Sequence, residues 1–248
     1  MKRYCSISFL AGALFLAGSL RGAEAIDEII AKARAYIGSE EKLGAINAIH
    51  YMGTYVDTNR GTTGQIEIYL QKPFRQRLEI SEGDEVQTTA IDGYDGWKRQ
   101  VNRSDPKKWQ LVILEAGELK RMRANTFENL NFFRGIEKVR GTVENKGVVK
   151  SNGRDAHRLI FQYGVGLFYE RLIDVNNGEL LLTVNDQGLE IKEVGEIFVD
   201  GIRFPEKVIT LVNGEIINTV SFHSIKLNED LEASIFELPS FLVDSGDK

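Results

Sequence analysis

The sequence predicts an α+β fold that is mainly β: a strongly curved antiparallel sheet, an incomplete β barrel, with helices covering its concave face. Three observations predict it. About a dozen short segments of alternating or β-branched character follow one another, most of them separated by Gly, Pro, Asn or Asp turn chemistry. Only one long internal helical stretch interrupts them. An amphipathic helix precedes them, and both helices carry an apolar stripe that must be buried against something.

Lys2 and Arg3 precede an apolar run from Ile7 to Leu20, and Ala23-Glu24-Ala25 has the small-x-small form of a secretory cleavage site. The expected organisation is a signal peptide over residues 1–25, cleaved after Ala25, and a single β domain over residues 26–248. The only cysteine, Cys5, falls in the removed segment and lacks the context of a lipidation site, so the mature domain has no disulfide or thiol chemistry. Removing Lys2, Arg3, Arg21 and Glu24 takes away two net positive charges, so the formal charge of −5 becomes −7. An acidic chain argues against a nucleic-acid partner, which needs a clustered excess of Lys and Arg.

Ile26, Ile29, Ile30, Ala33 and Ile37 share one helical face, with Asp27 and Glu28 at the positive end of the helix dipole and Gly38 as the stop. Ser39 caps a second short turn through about Ala45. Strands are then expected over Ile49 to Thr58, Thr63 to Gln71, Phe74 to Glu82, Val86 to Ile91 and Trp97 to Asn102. Asn59-Arg60-Gly61, Lys72-Pro73, Glu82-Gly83-Asp84 and Asp92-Gly93-Tyr94-Asp95-Gly96 provide the reversals, so neighbours in sequence pair antiparallel.

A longer helical segment is expected between Leu111 and Phe133. Its stripe is Leu119, Met122, Thr126, Leu130 and Phe133, with Glu118, Lys120, Arg121 and Glu128 off the stripe and Gly135 as its stop. Strands resume near Lys138 to Glu144, Ala156 to Tyr163, Leu167 to Val175, Glu179 to Val184, Leu189 to Val199, Glu206 to Leu211 and Ile216 to Lys226. No period of 20 to 50 residues repeats, which argues against a propeller or solenoid.

In Gln65-Ile66-Glu67-Ile68-Tyr69-Leu70-Gln71 the aliphatic residues occupy one face, and Leu78 and Ile80 continue that face on the next strand. Later strands divide less cleanly, Leu180-Leu181-Leu182 being apolar on both sides. Such a pattern fits a packed core and equally a sheet curved around an apolar ligand.

Motifs for chemistry are absent. Asp92 and Asp95 bracket a tight hairpin rather than an EF-hand loop, whose further acidic ligands and terminal Glu are missing. His50, His157 and His223 stand far apart, outside any local metal-ligand spacing, and no Gly-x-Ser-x-Gly turn or phosphate-cradling glycine loop occurs. No catalytic residue, metal or cofactor is expected. Between Lys98 and Arg123, eight basic residues (Lys98, Arg99, Arg103, Lys107, Lys108, Lys120, Arg121 and Arg123) face only Asp105, Glu115 and Glu118. A solvated face explains such a run, and so does contact with a membrane surface or acidic partner, for which Lys107, Lys108, Lys120, Arg121 and Arg123 are the candidates.

The order of elements resembles a known family. The exported N-terminal helix, Lys72-Pro73-Phe74-Arg75 in the first meander, the Ala90-Ile91-Asp92-Gly93 to Asp95-Gly96-Trp97 turn and the interrupting helix are similar to those of periplasmic lipoprotein carriers and outer-membrane lipoprotein-sorting proteins, the LolA/LolB-like superfamily. Val199-Asp200-Gly201-Ile202-Arg203-Phe204-Pro205 and Phe236-Glu237-Leu238-Pro239 resemble that family's closing strands and terminal segment. The resemblance implies an incomplete barrel closed by helices over an apolar cavity, a periplasmic location, and a non-enzymatic carrier or sensor of acyl chains from a lipid or lipoprotein. The candidate lining is then Ile66, Ile68, Leu70, Leu78, Ile80, Met122, Leu130 and Phe133. The alternative reading is an envelope interaction module with a packed core.

Overall fold

The structure, a computed structural model, describes residues 25–105 and 107–239, so nearly all of the expected signal peptide lies outside the described residues. The chain opens with helix α1 (Ile26–Ile37), helix α2 (Glu40–Ala45) and six strands: β1 (Ala48–Asp57), β2 (Thr62–Gln71), β3 (Arg75–Glu82), β4 (Glu85–Asp92), β5 (Asp95–Asn102) and β6 (Trp109–Ile113). Helix α3 (Ala116–Asn131) and a 3-10 turn (Ile136–Val139) follow. The second half contains β7 (Thr142–Ser151), β8 (Arg154–Gly164), β9 (Leu167–Asp174), β10 (Leu180–Asn185), β11 (Glu190–Val194), β12 (Ile197–Val199), β13 (Ile202–Phe204), β14 (Lys207–Val212) and β15 (Glu215–Leu227).

Thirteen strands form one curved antiparallel sheet that does not close into a barrel, in the order β6-β5-β4-β3-β2-β1-β15-β14-β11-β10-β9-β8-β7; β12 and β13 form a separate hairpin. Each meander grows outward by local hairpins, except that β11 pairs with β14 across the β12–β13 hairpin; β6 and β7 are the edges, and the last strand zips onto the first, Ile49 opposite Leu227 through Asp57 opposite Asn218. That end-to-end pairing makes one sheet of two meanders.

Two apolar clusters hold the helices on the sheet. In one, Ile29, Ile30 and Ala33 of α1 meet Ala124 and Phe127 of α3 and Leu159, Phe161, Tyr169 and Ile173 of β8 and β9. In the other, Leu43 beside Ile46 packs with Ile49, Leu70, Leu130, Ile202, Phe204 and Phe222. The convex side is covered too: Trp97 Nε1 donates to the Phe236 carbonyl at 3.0 Å and Arg77 to that of Ile235 at 2.9 Å, seating the C-terminal segment on β3 and β5.

Several expected boundaries are corrected. Residues 109–113 are the edge strand β6, with Trp97 opposite Ile113, and α3 starts only at Ala116. The signal is a capping box: the Glu115 side chain accepts from the backbone at Glu118, whose own carboxylate accepts from the Glu115 N–H. Helix α3 ends before Gly135, at Phe132, whose φ of 48° is left-handed; Phe133 follows at 70°. Two bulky residues in that region are strained, and they are held there by burial and by Arg34, whose Nη1 donates at 2.8 Å to the carbonyls of both Asn131 and Phe132. The strand expected from Lys138 starts at Thr142, because residues 136–139 form the 3-10 turn. The stretch expected over Leu189 to Val199 breaks at Gly195, whose φ of 73° favours glycine, into β11 and β12.

Candidate functional site

Between the helices and the concave face lies a cavity of about 740 Å³, within the range of roughly 300 to 1,000 Å³ typical of small-ligand sites. Cross-strand register explains its wall. On one wing, Tyr51 of β1 stands opposite Ile68 of β2 and Ile68 opposite Leu78 of β3, while Gly53, Ile66 and Ile80 form the adjacent row. All of these except Gly53 line the cavity, as does Leu70. The first polar residue on this wing, Gln76, is already satisfied: its Oε1 accepts from Thr126 Oγ1 of α3 at 2.9 Å.

The other wing is different. Arg171 of β9 stands opposite Thr183 of β10, Thr183 opposite Ile191 of β11, Ile191 opposite Thr210 of β14 and Thr210 opposite Asn218 of β15. All five line the cavity. Two residues along β11, Glu193 lies in a parallel row with Val208, Val220 and Tyr55, and it also lines the cavity. Glu193 keeps accessible surface where it borders the cavity.

Arg171 is the centre of this wing. It is 8% exposed, its Nη2 lies 2.5 Å from Glu128 Oε2 of α3, and its guanidinium carbon lies 4.6 Å from the ring centre of Phe133 and 5.1 Å from that of Phe161. Its Nε has no hydrogen-bond partner among the described residues. Burial pushes the Glu128 carboxyl above the usual carboxylate range, with Arg171 opposing the shift. Glu193 is raised for the same reason, again opposed by Arg171. Burial beside Glu128 moves the Tyr169 hydroxyl up to about 12.

Of the eight residues expected to line a cavity, Ile66, Ile68, Leu70, Leu78, Ile80 and Phe133 do line it. Met122 and Leu130 do not: Leu130 is fully buried in the second apolar cluster, and Met122 lies outside the wall. A helix stripe buries its centre against the sheet, so the residues that reach the cavity are at its flank and end: Asn125, Glu128, Asn129, Phe132 and Phe133. Glu128, expected off the stripe, is buried instead, and its partner Arg171 lies on a strand of the second meander. Nothing in the periodicity of either segment signals that pair.

The basic residues divide into two groups. Arg121 is engaged by Asp186 at 3.1 Å, and Arg123 is sandwiched between the rings of Phe74 and Tyr94, 4.0 and 3.9 Å from their centres. Lys107, Lys108 and Lys120 are exposed, Lys108 with Asp105 at 3.2 Å. Next to the first two, edge strand β6 exposes Trp109, Val112 and Ile113. Among the described residues no helix is long and apolar enough to cross a membrane, and no three His, Cys, Asp or Glu side chains converge as metal ligands.

No protein-family model matches the chain, and no curated protein matches it in sequence. Solved structures match it along most of its length. A LolA superfamily protein from Nitrosomonas europaea superposes with a TM-score of 0.55 at 12% identity, covering 86% of this chain and 97% of that one. A DUF1329 family protein from Desulfovibrio piger gives 0.55 at 8% identity, with coverage of 86% and 97%. A domain assigned to outer-membrane lipoprotein sorting, from Vibrio parahaemolyticus, gives 0.53 at 11% identity, with coverage of 84% and 94%. At these identities the likeness is one of fold: this chain has the curved, helix-covered sheet of the LolA-like proteins.

Proposed function

We propose that this protein is a non-enzymatic carrier or sensor of the bacterial envelope, working in the periplasm and holding the acyl chains of a lipid or lipoprotein between its helices and its curved sheet. The observation that carries the reading is the cavity of about 740 Å³ whose one wing is built from Ile66, Ile68, Leu70, Leu78 and Ile80. Transfer of a methylene from water to such a wall contributes about 0.8 kcal/mol, so a chain of ordinary length is retained without any bond being made or broken. The fold supports it as well, since a LolA superfamily protein and a domain assigned to lipoprotein sorting share it. Purified from the envelope without detergent and examined by native mass spectrometry, the protein should carry co-purifying acyl lipid. A clean apo mass, with no uptake from added vesicles, would defeat the proposal.

A docking role for the exposed edge is a second reading, favoured by the conjunction of Lys107 and Lys108 with the exposed Trp109, Val112 and Ile113 of β6. Lysine with interfacial tryptophan suits an anionic membrane surface. Reversing Lys107, Lys108 and Lys120 to Glu should weaken co-sedimentation with phosphatidylglycerol vesicles several-fold, most at low salt, and leave lipid content unchanged.

A further inference from the structure

The two edges of the sheet are finished differently. Edge strand β7 carries Glu144, Lys146 and Lys150 and is broken by a bulge between Asn145 and Val148, with Gly147 at a φ of 90°. Charged side chains and bulges are the usual means of stopping one sheet edge from pairing with another. Edge strand β6, Trp109-Gln110-Leu111-Val112-Ile113, holds no charge, glycine or proline and pairs with β5 without a register shift. Its Trp109, Val112 and Ile113 are 45, 59 and 60% exposed. Only its length of five residues limits what it could pair with.

Backbone and charge together say what fits there. The Leu114 N–H donates to the Gly96 carbonyl at 2.9 Å, and the Lys108 carbonyl accepts from the Asn102 N–H at 3.1 Å, so the even-numbered positions spend their groups on β5. The N–H and C=O of Leu111 and Ile113 therefore point out of the sheet. Lys107 and Lys108 precede the strand, Glu115 and Glu118 follow it, and all four are exposed, with Lys108 3.2 Å from Asp105. A strand with cations before it and anions after it complements a second copy of itself laid antiparallel. An anionic membrane or an acidic peptide would meet the glutamates along with the lysines.

We infer that β6 is a self-pairing surface, joining two copies of this chain through antiparallel β6 strands about a two-fold axis at Leu111. In that register the outward N–H and C=O of Leu111 meet those of Leu111 in the second copy, and Ile113 of each copy stands opposite Trp109 of the other. Lys107 and Lys108 of each copy come alongside Glu115 and Leu114 of the other. Ile113 shares the face of its β5 neighbour Trp97, which is the convex side, so an apolar row there becomes continuous across the axis. A strand of five residues makes a small interface, so association is weak and reversible, with a Kd on the order of 10 μM. This assignment is independent of the cavity, and it is the alternative to membrane contact at the same edge.

The test is sedimentation velocity of the purified protein from about 1 to 300 μM, across which wild type should pass from monomer to dimer. Leu111→Pro removes an N–H that β5 does not use, so it should weaken dimerisation more than about tenfold while the melting temperature stays within a few degrees. Lys107→Glu/Lys108→Glu and, separately, Glu115→Lys/Glu118→Lys should each weaken it about tenfold. An equimolar mixture of those two variants should dimerise again, since both ends of the mixed pair regain opposite charges. The glutamate variant loses the capping box of α3; should it fail to fold, Leu111→Pro and the lysine variant decide the case. A monomer at every concentration, a dimer indifferent to Leu111→Pro, or folded charge variants that do not rescue each other would overturn the inference. So would a monomer that binds phosphatidylglycerol vesicles through Lys107 and Lys108, which would give the edge to the membrane.

Discussion

The two wings of the concave wall obey opposite rules. Across β2 and β3 the inward positions are Ile66, Ile68, Leu70, Leu78 and Ile80, and their single amide, Gln76, is tied to α3. Across β9 to β11, β14 and β15 the inward positions include an arginine, a glutamate, two threonines and an asparagine, and part of their hydrogen-bonding capacity is unspent. One sheet thus presents a greasy surface and a polar surface to the same space. The contrast is one of composition: the β2–β3 wing is aliphatic with its one amide bonded to α3, while the other wing sets Arg171, itself held by Glu128 of α3, among threonines and an asparagine.

The comparison breaks most visibly at Arg171. Arg171→Met leaves Glu128 buried without its cation, and urea unfolding should show a loss of about 3 to 5 kcal/mol. The double variant Arg171→Met/Glu128→Leu should recover most of that loss, since it removes the uncompensated charge along with the pair. If the single variant is as stable as wild type, the polar wing is solvated and the contrast between wings is false.

Next in size is a pair of truncations. Leu130→Ala empties a fully buried position and should cost about 2 to 5 kcal/mol. Leu78→Ala borders a space that is already open, so its stability cost should stay near 1 kcal/mol while acyl-chain affinity falls about tenfold. Thermal melts with and without lipid separate the two. Equal destabilisation by both would mean that Leu78 is core rather than wall.

The smallest effect is a pH dependence. Folding raises the Glu193 carboxyl above its ordinary value of 4.5, so the folded chain binds a proton more tightly there than the unfolded chain. That contribution is complete below about pH 4.5, where both states are protonated, and is lost as the pH climbs through the folded value. Glu193→Gln should therefore raise the melting temperature at pH 7, and the gain should shrink toward zero as the pH falls to the unfolded range. A constant difference across pH would show that Glu193 is solvated like a surface residue.

The site was partly legible in the sequence. Ile66, Ile68, Leu70, Leu78 and Ile80 announce an inward face because strand alternation is strict there. Their polar counterparts read as the mixed faces of later strands, for a physical reason: Thr183, Thr210 and Asn218 come from three strands, and only the register of five strands aligns them with Arg171. Leu111 to Ile113 looked helical because an apolar run has no fixed period over three residues, and pairing with β5 decided it.

What the amino-acid order determined alone is the succession of hairpins, since glycine at positive φ and the local alternation act over a few residues. It also determined the amphipathic faces of α1 and α3. What the tertiary structure decided is everything that joins distant segments: β15 against β1, Glu128 against Arg171, Arg34 on the end of α3, and the volume left between wall and helices. These depend on how a twisted sheet curves over thirteen strands, a sum of small angles that no local pattern encodes.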